Sequence, residues 1–204
     1  MAFDIQRGIQ SVAQGFRNTM RGGSGADGVV SEFHGRYYQT TKDGNGFSAS
    51  IQAVATTSVG LNTTYTGLCI SNPITSAIDM VVNKVSIMQS VIQATQVEAF
   101  AIAVGYNATT NVTHSAALAT RSNLIGSGLT SVGLADTSAT LPTAPFYHTF
   151  IANTASATTE TSVGTFDMEG SIILPPGGYA MFVTPAQASV AGMWFSFSWE
   201  EFAR

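Results

Sequence analysis

The side chains best able to do chemistry in this chain are few and far apart. His34, His114 and His148 stand in unrelated contexts, with no pair at the spacing by which one helix or strand presents two ligands to a metal, and they read as surface or interface residues. Cys69, the single cysteine, lies in the apolar run "TGLCIS"; it has no partner for an internal disulfide and reads as a small buried hydrophobe rather than a nucleophile. Gly23, Gly25 and Gly28 spell G-x-G-x-x-G, but a dinucleotide site needs a strand before that motif and a helix after it, and here a helical pattern precedes and a loop follows. Asp167 and Glu169 fall on one face of a strand, and Glu200 and Glu201 are adjacent near the C-terminus. A glycosidase pair faces across a cleft, so both sets read as solvated strand ends. Asn62, Asn107 and Asn111 begin N-x-T triplets, which a chain this rich in Asn and Thr produces by chance. The expectation is a protein that is not an enzyme, with no catalytic residues, no cofactor and no metal.

The elements that would have to position any site come next. At 204 residues the chain suits one main core, alone or with an extension. Only 10% of residues are charged, so Ser, Thr, Asn and Gln must supply the polar surface. A net charge of -4 gives no basic handle for displacing counterions from nucleic acid. No apolar run reaches the ~20 residues of a membrane-spanning helix, and the N-terminus lacks a continuous apolar secretory core. Neither nucleic acid nor membrane is expected as a partner, and the chain is expected to be made as a soluble, uncleaved protein in the cytoplasm.

Residues 1 to 43 hold nearly half of the charged side chains, and the character of the chain changes near residue 44. Ile5, Ile9, Val12, Phe16 and Met20 recur at spacings of three and four, the signature of one helical face, with Arg7, Arg17 and Arg21 elsewhere on the helix. The stretch "RGGSGADG" then ends the helix and supplies a joint. Residues 1 to 43 are therefore expected to form an N-terminal arm, helical and then extended, whose apolar face needs a partner.

From residue 44 to 204 the pattern is all β, with short runs of Val, Ile, Thr, Phe and Tyr broken by Gly, Asn, Pro and Ser. Strands are predicted at 46 to 52, 65 to 71, 78 to 93, 98 to 105, 146 to 151, 168 to 174, 178 to 184 and 190 to 200. In "VAGMWFSFSWEE", Met193, Phe195, Phe197 and Trp199 alternate with Gly192, Trp194, Ser196 and Ser198, which puts one set inward and makes Trp199 a core anchor. "SIILPPGGYAMFVTP" reads as a hairpin within a sandwich of two antiparallel sheets, Pro175 ending one strand and Gly177 and Gly178 allowing a tight turn. Residues 107 to 145 read as a long excursion or a pair of weak strands, of the kind that forms functional surfaces or subunit contacts.

Three segments carry a family resemblance: "HGRYYQTTKDGNGFSAS" (34 to 50), "YTGLCISNPITSAIDMVVNKVSI" (65 to 87), and "GSIILPPGGYAMF" with "WFSFSWEE" at the close. Over residues 34 to 204 the chain resembles small structural proteins of tailed bacteriophages. The resemblance implies a virion component with a jelly-roll-like antiparallel β-sandwich. The function expected from it is capsid decoration or cementing, by a homo-oligomer, a trimer for preference, that binds the major capsid protein or other virion proteins. Contact is expected through Ile5, Ile9, Val12, Phe16, Met20, Arg7, Arg17 and Arg21. One alternative is a neck or tail accessory at the portal, adaptor or fibre base. Another is a host-facing carbohydrate-binding module with Trp194, Tyr37 and Tyr38 as stacking platforms.

Overall fold

β-Branched and aromatic runs form the strands of this protein because such side chains pack well on a pleated surface, while the flanking Gly, Asn and Pro turn the chain. The computed structural model describes residues 21–22, 28–29, 36–53, 56–89, 98–154, 163–185 and 192–204. Its elements in chain order are β1 (Arg21–Gly22), β2 (Gly28–Val29), α1 (Tyr38–Lys42), β3 (Gly46–Ser50), β4 (Thr64–Ser71), β5 (Ile78–Gln89), β6 (Glu98–Tyr106), β7 (Thr113–Leu118), β8 (Arg121–Ser122), β9 (Leu134–Thr140), β10 (Phe146–Thr154), β11 (Val163–Leu174), β12 (Gly178–Val183) and β13 (Met193–Ala203). The chain divides into two units, Met1–Tyr38 and Gln39–Arg204. In the first, β1 and β2 pair antiparallel, Arg21 opposite Val29. The predicted helix, with Ile5, Arg7, Ile9, Val12, Phe16, Arg17 and Met20, lies outside the described residues, as does the side chain of Arg21.

The second unit is a sandwich of two antiparallel sheets. One runs β11-β5-β13-β3-β8 and the other β10-β6-β12-β4-β9-β7. Setting aside β7, β8 and β9, the remaining eight strands lie in the order first-eighth-third-sixth in one sheet and second-seventh-fourth-fifth in the other, which is the jelly roll. All eight predicted strands are present, and they are these eight. The central segment, read as an excursion or two weak strands, instead supplies three: β9 and β7 extend one sheet beyond β4, and β8 extends the other beyond β3.

Alternation sets which side chains face the core. In β13, Met193, Phe195, Phe197, Trp199 and Glu201 are buried while Trp194, Ser196, Ser198 and Glu200 are partly exposed. Phe182 of β12 stacks on Phe195 of the facing sheet and lies tilted against Phe197, with ring centroids 4.6 and 4.7 Å apart. Aromatic pairs of this kind add ~1 kcal/mol to the burial of their area. Trp199 is fully buried, as its place in the alternation predicts.

The proline-glycine segment is not a hairpin. β11 pairs with β5 and β12 with β4 and β6, so residues 175 to 177 carry the chain from one sheet to the other. Gly178 N–H donates to Pro175 C=O, and Gly177 has a φ of 88°, the turn geometry that Pro followed by Gly favours. The corner is tied to a second one. Asn72, in the "SNP" that ends β4, accepts from Gly177 N–H and donates its own N–H to Gly178 C=O. Its buried side chain also donates to the carbonyls of Leu174 and Ile78.

The six-stranded sheet is apolar on its outer face as well. Tyr65, Cys69, Ala101, Ala103, Tyr179, Met181 and Val183 are buried there. Part of their cover is the "LPTAP" connection between β9 and β10. These strands are separated in the sheet by β4, β12 and β6, so residues 141 to 145 pass over all three. Thr143 bonds the Tyr179 hydroxyl, and Leu141 N–H donates to Thr63 C=O. The Tyr179 ring lies so close to Gly105 that any Cβ there would run into it.

Candidate functional site

The outer face of the five-stranded sheet carries an ordered set of side chains in rows across its strands. Directly paired residues share a face, and adjacent strands lie about 4.8 Å apart. Ser50 pairs with Ser196, Ser196 with Ser86, and Ser86 with Thr165, giving an unbroken row of four hydroxyls across β3, β13, β5 and β11. Next to it, Trp194 pairs with Met88. On its other side a row of mixed polarity runs from Arg121 through Ser48, Ser198 and Lys84 to Asp167, with Lys84 and Asp167 3.5 Å apart. The face therefore grades from aromatic and thioether, through hydroxyl, to charged. A shallow depression of about 200 Å³ lies at the boundary of the first two rows, lined by Ser50, Ser86, Met88, Trp194 and Ser196 together with the buried Ile51, Ile87 and Phe195.

Exposed apolar side chains gather in two other places. Ile125, Leu129, Val132 and Leu134 lie in and beside the connection from β8 to β9, and Ile125 is 88% exposed. At the opposite margin of the six-stranded sheet, on β6 and the outermost strand β10, Tyr106 and Phe146 share the face of Val104, while Phe150, 67% exposed, shares the outer face of Ala101 and lies beside Tyr147. The first group has a firm base. The buried Glu201 carboxylate accepts from Ser131 Oγ, from the N–H groups of Val132 and Gly133, and from Trp199 Nε1, which fixes residues 131 to 133 beneath β13. The expectation of a solvated strand end at Glu200 and Glu201 is thereby corrected. Glu201 is buried and fully engaged, and Glu200 accepts from Asn83 Nδ2 at 2.8 Å. Asp167 and Glu169 also depart from a strand end, since a register shift separates Asp167 from Ile172 within β11 and Glu169 has a φ of 50°.

Among the described residues, the nearest approach to a reactive constellation is Cys69, Asp136 and His114. His114 Nδ1 lies 2.5 Å from Asp136 Oδ2. Asp136 is directly opposite Cys69, so the carboxylate sits between the thiol and the imidazole. Activation of a nucleophile needs the base in the middle. Burial first, and then the Asp136 charge, push the Cys69 thiol well above its ordinary range, which keeps it protonated and inert. Burial also raises the Asp136 carboxyl, against the bond and charge of His114, and its Oδ1 has no hydrogen-bond partner among the described residues.

Of the sequence-predicted recognition residues, Trp194 stands on the outer sheet face, while Tyr37 and Tyr38 belong to the first unit, Tyr38 being exposed. His34 lies outside the described residues, and exposed His148 bonds Thr149 Oγ1. Comparisons of the chain with protein-family models, with curated proteins and with solved structures returned no match.

Proposed function

We propose that this chain is a structural component of a tailed-bacteriophage virion, a decoration or cement protein that binds the capsid shell and ties neighbouring capsomers. The observation that carries this reading is the pair of exposed apolar groups on a sandwich with few charges. Exposed apolar side chains grouped in this way mark protein contacts, and Glu201 holds residues 131 to 133, the part of the β8 to β9 connection that carries Val132. The jelly-roll order supports the reading by analogy, since viral shell domains use it, although lectins use it as well.

The two groups differ in composition, one aliphatic and one aromatic, and lie at opposite margins of the body. A contact joining one to the other is heterologous, and where its rotation closes it forms a ring, of which a trimer is the smallest larger than a pair. The N-terminal segment, for which the sequence predicts an apolar face of Ile5, Ile9, Val12, Phe16 and Met20, is then the reach to the major capsid protein or another virion protein.

The test uses particles lacking the protein, with recombinant protein added back. Ile125→Asp with Leu129→Asp is expected to leave the body folded and lower particle binding at least about tenfold, as loss of a central apolar anchor does. A double variant that binds like the parent removes the loop from the interface. Binding confined to isolated necks or tails moves the protein to the portal, adaptor or fibre base.

A further inference from the structure

We propose that the outer face of the five-stranded sheet is a binding site for a neutral oligosaccharide, with Trp194 as the stacking platform and the Ser50, Ser196, Ser86, Thr165 row as the hydrogen-bonding edge. A pyranose ring has an apolar C–H face and a rim of hydroxyls. It needs an aromatic plane beside a line of small donor-acceptor groups, which is what these two rows place side by side.

Several features favour a sugar over another occupant. The hydroxyls of Ser50 and Ser196 have no hydrogen-bond partner among the described residues, and that of Ser86 is shared only with Thr165, at 3.2 Å. A hydroxyl both donates and accepts, so such a row can meet sugar hydroxyls in either sense. The row repeats at the strand spacing of about 4.8 Å, close to the advance per residue of an extended glycan chain, so successive sugars can meet successive strands. Trp194 is partly buried against the core, which holds its ring and limits the entropy lost when a ligand stacks on it. Neither the Trp194 row nor the hydroxyl row carries a charge; Lys84, Asp167 and Arg121 are one row further away. That selects neutral over acidic sugars. The shallow depression of about 200 Å³ admits a ring lying on the sheet rather than one enclosed in it. The site is independent of the shell-binding reading, which uses other surfaces.

The chain has two tryptophans and Trp199 is fully buried, so a change in tryptophan emission on adding ligand reports Trp194. The full chain is titrated with cello-, malto-, xylo- and chito-oligosaccharides, followed by emission and by amide chemical shifts. At least one series is expected to give saturable binding, with shifts at Ser50, Ser86 and Ser196. Trp194→Ala is expected to weaken it tenfold or more. Ser196→Val, which puts a strand-compatible branched side chain into the row without touching the core, is expected to weaken it similarly while leaving the unfolding midpoint within a degree or two. No saturable binding by the folded protein to any series overturns the proposal. So does binding that both variants retain, and so does self-association abolished by Trp194→Ala without saccharide binding, which would make the face an interface between copies.

Discussion

At the level of single residues, the buried Asp136 contributes a pH dependence whose sign follows from its surroundings. Burial raises its carboxyl above the ordinary 3.8, and His114 offsets part of that rise. The folded state therefore holds the proton more tightly than the unfolded state in the window between 3.8 and the raised value. Stability contributed by this group is greatest below that window and falls as pH rises through it. Asp136→Asn keeps the shape and an acceptor for His114 but cannot titrate. Urea unfolding measured across mildly acidic pH is expected to show a downward slope in the parent that is smaller in the variant. Parallel profiles would mean that the carboxyl is not desolvated as the structure has it.

Among the elements, much of the fold was legible in sequence because the eight jelly-roll strands are apolar runs with clear breaks. Two kinds of information were not local. "LPPGG" shows a tight turn, but nothing in those residues says whether the strands it joins pair with each other or with β5, β4 and β6; that choice lies in contacts with Asn72 and Asn107, far along the chain. β7 to β9 were obscured because their residues are short, polar and rich in Ser and Thr, and they take their stability from adding to existing sheet edges. The alternation in "WFSFSWEE" shows that Trp194 and Ser196 face outward, but only cross-strand register brings Ser50, Ser86 and Thr165 into line with Ser196. The two-corner arrangement predicts an asymmetry between glycines. Gly177→Ala puts a side chain at φ 88° and into the Asn107 carbonyl oxygen, and is expected to cost about 2 kcal/mol or more. Gly60→Ala, at φ 68° with open space around it, is expected to cost about 1 kcal/mol. Equal losses of unfolding free energy would contradict the corner described.

For the whole molecule, function divides between surfaces. Under the two proposals, the margins with Ile125 and Phe150 would serve protein contacts, and the outer sheet face with Trp194 would serve a neutral oligosaccharide. The first proposal is central, and under it the protein would be a stoichiometric part of a particle. Quantitative mass spectrometry of purified virions, against the major capsid protein as internal standard, tests it most directly. The account predicts copies in a fixed ratio of the same order as the capsid protein. Absence of the chain from particles whose other structural proteins are all recovered would contradict it.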